Sequence, residues 1–208
     1  AVTDNALALA EAAVKNAEDL LNDEAYQNAV GLVGKLDETE KEKEGLVERL
    51  EVVKNTMDIV ALVENLKDQT NGALDKEDAK LLDDARDYRE DNDIAAKVDT
   101  LDNDLEETLE SILAALARIL DDTKGPKFNI EDEAILNDIT TIKVEDEEGN
   151  DIISLILVDK DKNEVELTDG LEIVDGTYTL VATDEALNES EVTFTLDTKE
   201  ATRVSANM

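Results

Sequence analysis

Between Asn5 and Val53 apolar residues recur three or four positions apart, as in Ala10, Ala13, Val14, Ala17, Leu20 and Leu21, then Ala29, Val30, Leu32, Val33 and Leu36. That spacing puts them on one face of an α-helix. Asn22-Asp23 interrupts the first stripe and Asp37-Glu38-Thr39 the second, each offering a side chain that can cap a following helix. Three helices are expected, the third ending or bending near Asn55-Thr56. The segment DIVALVENL (58–66) repeats the apolar positions of NAVGLVGKL (28–36), with Val60, Leu62, Val63 and Leu66 standing where Val30, Leu32, Val33 and Leu36 stand. A second helical unit is therefore expected from Met57. Its turn falls at Asn71-Gly72, its middle helix carries Ala79, Leu82, Ala85 and Tyr88, and its last helix runs from Ile94 to Leu120. If the helix over 46–66 is continuous, the two units share it and form a stiff rod.

The helical stripe stops at Leu120, and Gly125-Pro126 follows, with Pro126 the only proline. Neither residue favours continuing a helix. Beyond it the period changes to two, in Ile142-Val144, Ile153-Leu155-Leu157, Val165-Leu167, Tyr178-Leu180-Ala182 and Val192-Phe194-Leu196. Turn-forming residues separate these runs at Gly149-Asn150, 159–163, Asp169-Gly170, Asp175-Gly176 and 184–188. Five short strands, with further candidates at 128–130 and 171–174, predict a β-sandwich. The expected protein is multidomain. An all-α helical-bundle rod (1–56 and 57–121) leads into an all-β sandwich (122–198), and 199–208 is a linker or the start of a next module.

Composition narrows what such a chain can do. Only 2% of residues are aromatic against 41% hydrophobic, so the cores must be aliphatic. Fifty-five acidic residues against 20 basic ones give a net charge of −35, shared by the helical and the β-rich parts. That field repels nucleic-acid phosphates and anionic lipid headgroups, and favours cations and basic surfaces. No apolar run is long enough for membrane insertion. The chain has no His, Cys or Trp, which removes imidazole bases, the His-dependent nucleophile systems, thiolate metal sites and the best sugar platforms. The reading is a protein that is not an enzyme.

Acidic turns are the remaining chemical feature. Asp159, Asp161 and Asn163 place oxygen ligands at alternate positions, as the start of a calcium loop does. Glu164 stands where that loop has its sharp-turn Gly, and Gly170 where it has a bidentate Glu, so a polar hairpin turn between Leu157 and Val165 is the favoured reading. A second acidic turn, with Asp146, Glu147, Glu148, Asn150 and Asp151, has the same ambiguity between turn and ligand set. No cofactor is required by the sequence; calcium is the one these turns would hold. Tyr178, after Asp-Gly at a strand start, is expected in the core, bonded back to the preceding turn. Gly31, Gly34 and Gly45 have helical spacing and are expected at close helix contacts.

The stretch DGTYTLVATDEALNESEVTFTLDT (175–198) resembles the closing hairpin of bacterial immunoglobulin-like (Ig-like) domains, which occur in tandem in Gram-positive surface and S-layer-type proteins. Gly176, Tyr178, Ala182, Asp184, Asn188, Val192, Phe194, Leu196, Asp197 and Thr198 stand at the family's positions, and Leu187 stands where the family has Gly. The helical part is similar to three-helix modules of the same kinds of protein, through LDKEDAKLLDDARDYREDND (74–93). The resemblance implies an extracellular protein of the cell wall or cell surface, with neighbouring modules of its own chain as partners and no catalytic residues. Two functions follow from it. One is a structural spacer or self-assembling lattice module; the other is an adhesin that binds a host or matrix protein through sandwich loops or a helix face.

Overall fold

The computed structural model describes residues 2–37, 41–101, 104–130, 135–136, 142–165 and 174–197. Among them are six helices, α1 (Val2–Leu20), α2 (Asp23–Val33), α3 (Lys41–Lys76), α4 (Ala79–Asp91), α5 (Ile94–Val98) and α6 (Asp104–Leu120). A β-rich domain follows, with β1 (Lys127–Asn129), β2 (Ile135–Leu136), β3 (Lys143–Glu145), β4 (Ile152–Asp159), β5 (Glu164–Val165), β6 (Gly176–Asp184) and β7 (Glu189–Leu196). The chain divides into two compact units, Ala1–Asp68 with Tyr88–Leu113, and Gln69–Asp87 with Ala114–Met208. Among the described residues no helix is long and apolar enough to cross a membrane.

In the first unit, α1 gives way to α2 where expected. Leu21 takes a positive φ of 46°, and the Asn22 side chain accepts from the Ala25 N–H at 2.9 Å, capping α2. The core joins Ala10, Val14 and Ala17 of α1 to Ala25, Ala29 and Val33 of α2 and to Leu46, Leu50 and Val53 of α3. Alanine at so many buried positions lets helix backbones approach closely, which suits a core without large aromatics. On its surface, Arg49 of α3 donates to both carboxylate oxygens of Glu18 of α1, each at 2.7 Å.

The structure decides the continuity left open over 46–66 and departs from the expected helix boundaries at Asn71-Gly72 and within 94–120. The helix α3 runs unbroken through Asn55-Thr56 and through Asn71-Gly72. Leu46, Leu50, Val53, Thr56, Ile59, Val63, Leu66, Thr70 and Ala73 form one buried stripe along it, three or four residues apart, and that stripe overrides the local polar pairs. The buried Thr56 hydroxyl is satisfied within the helix, donating to the Val52 carbonyl, and the Asn71 amide donates to Asp75 one turn on. Conversely, the expected last helix is two. After α5 the Thr100 hydroxyl donates to Lys97 O at 2.6 Å and the chain turns before α6 begins. Close packing does not account for Gly31 or Gly45, where an added Cβ would meet open space, and nothing in the structure explains them. Gly34 caps the end of α2. The interruption at Glu38-Thr39 lies outside the described residues.

The second unit holds both sheets. A five-stranded sheet has the order β2-β7-β6-β4-β5, antiparallel except for the parallel β2–β7 pair, and β1 pairs with β3 in a two-stranded antiparallel sheet. Strand alternation sends Leu157, Tyr178, Leu180, Phe194 and Leu196 into a core, and Phe128, Ile130, Ile142 and Val144 from the other sheet's segments pack against it. Burying each such aliphatic or aromatic side chain contributes roughly 1.5–3 kcal/mol. On the opposite face of β6 and β7, Thr177 pairs with Thr195 and Thr179 with Thr193, hydroxyl to hydroxyl. The Tyr178 hydroxyl donates to Val174 O at 2.7 Å, the expected bond back to the turn. Leu187 adopts φ 62°, the conformation Gly would take without strain, and the hairpin still closes through Asp184 N–H to Asn188 O at 3.2 Å. Ile135-Leu136 was not expected as a strand; two residues are too short for periodicity to register. The turn at Asp169-Gly170, residues 171–173 of the candidate strand, and the tail 199–208 lie outside the described residues.

Candidate metal centre

The site begins where α6 ends. A helix leaves its last carbonyls without internal partners, and a cation placed there is favourable. Arg86 of α4 supplies one, donating through Nε to Leu120 O at 2.8 Å and through a second nitrogen to Asp122 O at 3.5 Å. Asn188, from the β6–β7 turn, also donates to Asp122 O, at 3.3 Å. Asp122 is only 3% exposed. Its Oδ1 accepts from the Lys124 N–H at 2.9 Å, a local turn that directs the chain through Gly125-Pro126 toward β1. Gly125 is required there, because a Cβ would lie 2.4 Å from Ser190 Oγ and 2.5 Å from Glu189 O.

The turn between β3 and β4 meets this aspartate. Asp146 Oδ1 accepts from the Asn150 N–H at 2.9 Å, and Gly149 takes φ 84° to tighten the loop. The Asn150 amide nitrogen then donates to Asp122 Oδ2 at 2.7 Å and to Arg118 O at 3.2 Å. Both partners are acceptors, so the amide orientation is determined and its oxygen faces neither. One carboxylate oxygen from each of Asp122, Asp146 and Glu148 lies within 4.8 Å of the other two. Lys124 pairs with Glu148 Oε1 from the solvent side.

What remains unpaired points to a ligand. Asp146 Oδ2, Glu148 Oε2 and Asn150 Oδ1 are buried side-chain oxygens without a hydrogen-bond partner. Asn150 itself is 6% exposed. A buried polar atom left unpaired costs about 1–3 kcal/mol, more when charged, so three in one turn beside a buried aspartate are a cost that a bound cation could offset. The donors are all oxygens, and the chain has no His or Cys, so the set suits a hard cation and not zinc or copper. This cluster can hold a divalent cation such as calcium. Near it, Asp184 is fully buried; desolvation pushes its carboxyl above the ordinary range, against the hydrogen bonds from Asn188 that favour its charge.

Asp159, Asp161 and Asn163 form the β4–β5 hairpin turn, with Leu157 paired to Val165. Asp159 Oδ1 accepts from the N–H groups of Asp161 and Asn163 at 2.8 and 2.9 Å, and the Asn163 amide donates to both its oxygens. Those bonds, chiefly from Asn163, hold the Asp159 carboxyl below its usual range. Asp161 pairs with Lys160. Of the two acidic turns singled out in the sequence, the one at 146–151 supplies the converging carboxylates. Asp122 stands at the boundary after the helices, and nothing local in the sequence marks it as a ligand, because Asn150 and Asn188, which meet it, are far away in sequence. No family model, curated protein or solved structure matches the chain.

Proposed function

We propose that this chain is a non-enzymatic structural region of a bacterial cell-surface protein of the S-layer kind, whose β-rich domain is an Ig-like module fastened at its start by calcium. The observation that carries the reading is the set of buried, unpaired oxygens on Asp146, Glu148 and Asn150 beside buried Asp122. A cation there ties the segment leaving α6 to the β3–β4 turn, adding to the Asn150 amide bonds and the Lys124–Glu148 pair that already join them. The Ig-like reading is supported by the Tyr178 bond to Val174 O and by packing between the two sheets. Calcium suits the site better than magnesium: it accepts irregular arrays of carboxylate and amide oxygens, whereas magnesium demands a near-ideal octahedron. Neighbouring modules of the same protein are the partners this reading supplies.

Thermal unfolding of the whole chain tests it, with calcium, magnesium and sodium compared at equal ionic strength. Calcium is expected to raise the melting temperature saturably beyond both others, adding about 2.7 kcal/mol at a hundredfold excess over its Kd. Asp146→Asn and Glu148→Gln should abolish that gain, while Asp159→Ala with Asp161→Ala should retain it. Equal curves for calcium and sodium would overturn the assignment.

A further inference from the structure

Lys124 addresses the acidic cluster twice. Its N–H donates to Asp122 Oδ1 at 2.9 Å, and its ammonium pairs with Glu148 Oε1. Glu148 is thereby half committed, since its other oxygen is buried and unpaired. The two side chains differ in exposure, 65% for Lys124 and 28% for Glu148. The ammonium therefore reaches the carboxylate from solvent and can return to it, because an exposed ion pair of this sort is worth little. The Lys124 pKa is raised, first by its hydrogen bond and charge interaction with Glu148, with Glu147 and Asp122 adding to the pull.

We infer that Lys124 is the resident counter-ion of the site, and that calcium binds by displacing its ammonium from Glu148, so that this lysine sets the affinity. The inference rests on the calcium reading above. Calcium is commonly held by both oxygens of a carboxylate, and Glu148 can offer both only after Oε1 is released. A divalent ion and an ammonium at adjacent oxygens also repel, and that repulsion is removed when the lysine moves out or is replaced. The backbone bond from Lys124 to Asp122 survives any change of side chain, so substitution removes the charge and keeps the turn. The neighbouring pair, Lys127 with Glu147, involves no residue of the cluster and serves as the control.

Calcium titration calorimetry on the whole chain tests the inference. Lys124→Gln should bind calcium about three- to tenfold more tightly than the unaltered chain. Lys124→Arg should bind close to it, and Lys127→Gln should differ by less than about twofold. A second measurement needs no variant: calcium should raise the rate at which an amine-reactive reagent labels Lys124, read by peptide mass spectrometry, and leave Lys127 unchanged. If the unaltered chain binds calcium but Lys124→Gln binds no tighter, or Lys124 labelling does not change, displacement is wrong while the calcium site stands. If the unaltered chain shows no saturable binding, both fall together.

Discussion

The amide of Asn150 donates to Asp122 Oδ2 at 2.7 Å, joining residues 28 positions apart in a buried contact. The same nitrogen serves the Arg118 carbonyl near the end of α6. Asn150→Ala would leave a buried carboxylate and a helix-end carbonyl short of a donor. We expect a loss of about 2–3 kcal/mol in calcium-free buffer, read by urea unfolding at unchanged slope. A loss within error would mean that water replaces the amide without cost.

Two glycines nearby should respond differently to alanine. At Gly125 the new methyl meets Ser190 Oγ and the Glu189 backbone at under 3 Å, and backbone cannot move aside cheaply. Gly125→Ala should cost about 2 kcal/mol or more. Gly149 has open space around it but φ of 84°, so Gly149→Ala should cost only about 1 kcal/mol, from backbone strain. Thermal melts of both variants compare the two effects, and an equal loss would contradict the packing at Gly125.

The Glu18–Arg49 pair makes a pH prediction for the helical unit. Hydrogen bonds from Arg49 hold the Glu18 carboxyl below its ordinary range and raise the guanidinium's own pKa. A carboxyl with a lowered folded pKa stabilises the fold above its unfolded value of about 4.3. That contribution is lost as pH falls through the lower folded value. Both side chains are more than a third exposed, so solvent screening limits the gain to about 1 kcal/mol or less. Glu18→Gln should therefore weaken the protein slightly at pH 7 and match it in acid. A difference that persists or grows in acid would point to packing and not charge.

Salt should stabilise the whole chain. With 55 acidic and 20 basic residues, self-repulsion is greater in the compact state and acts over about a Debye length, roughly 30 Å at 0.01 M and 3 Å at 1 M salt. The melting temperature should rise steadily with sodium chloride, without saturating at low millimolar concentrations as a bound calcium ion would require. A fall with added salt would show that ion pairs such as Glu18–Arg49 outweigh the excess of negative charge.

Local pattern carried much of the fold. Apolar residues three or four apart placed α1, α2 and α4, the Asn22 side chain marked the α1–α2 boundary, and period-two runs placed β3, β4, β6 and β7. These features follow from backbone geometry within a few residues, so a sequence displays them directly. Helix continuity was only partly legible: the pattern left open whether the helix over 46–66 is continuous and read Asn71-Gly72 as a turn, and burial along one stripe carries α3 through both. The candidate metal centre was half legible. Asp146, Glu148 and Asn150 stood out as an acidic turn with the same ligand types as Asp159, Asp161 and Asn163, and sequence spacing could not choose between the turns. The choice depends on where free lone pairs end up. In the hairpin, Asn163 and backbone N–H groups occupy the Asp159 carboxylate. In the other turn, tertiary structure buries oxygens without partners and brings Asp122 to them from the end of a helix, a convergence of distant segments that only the folded chain produces.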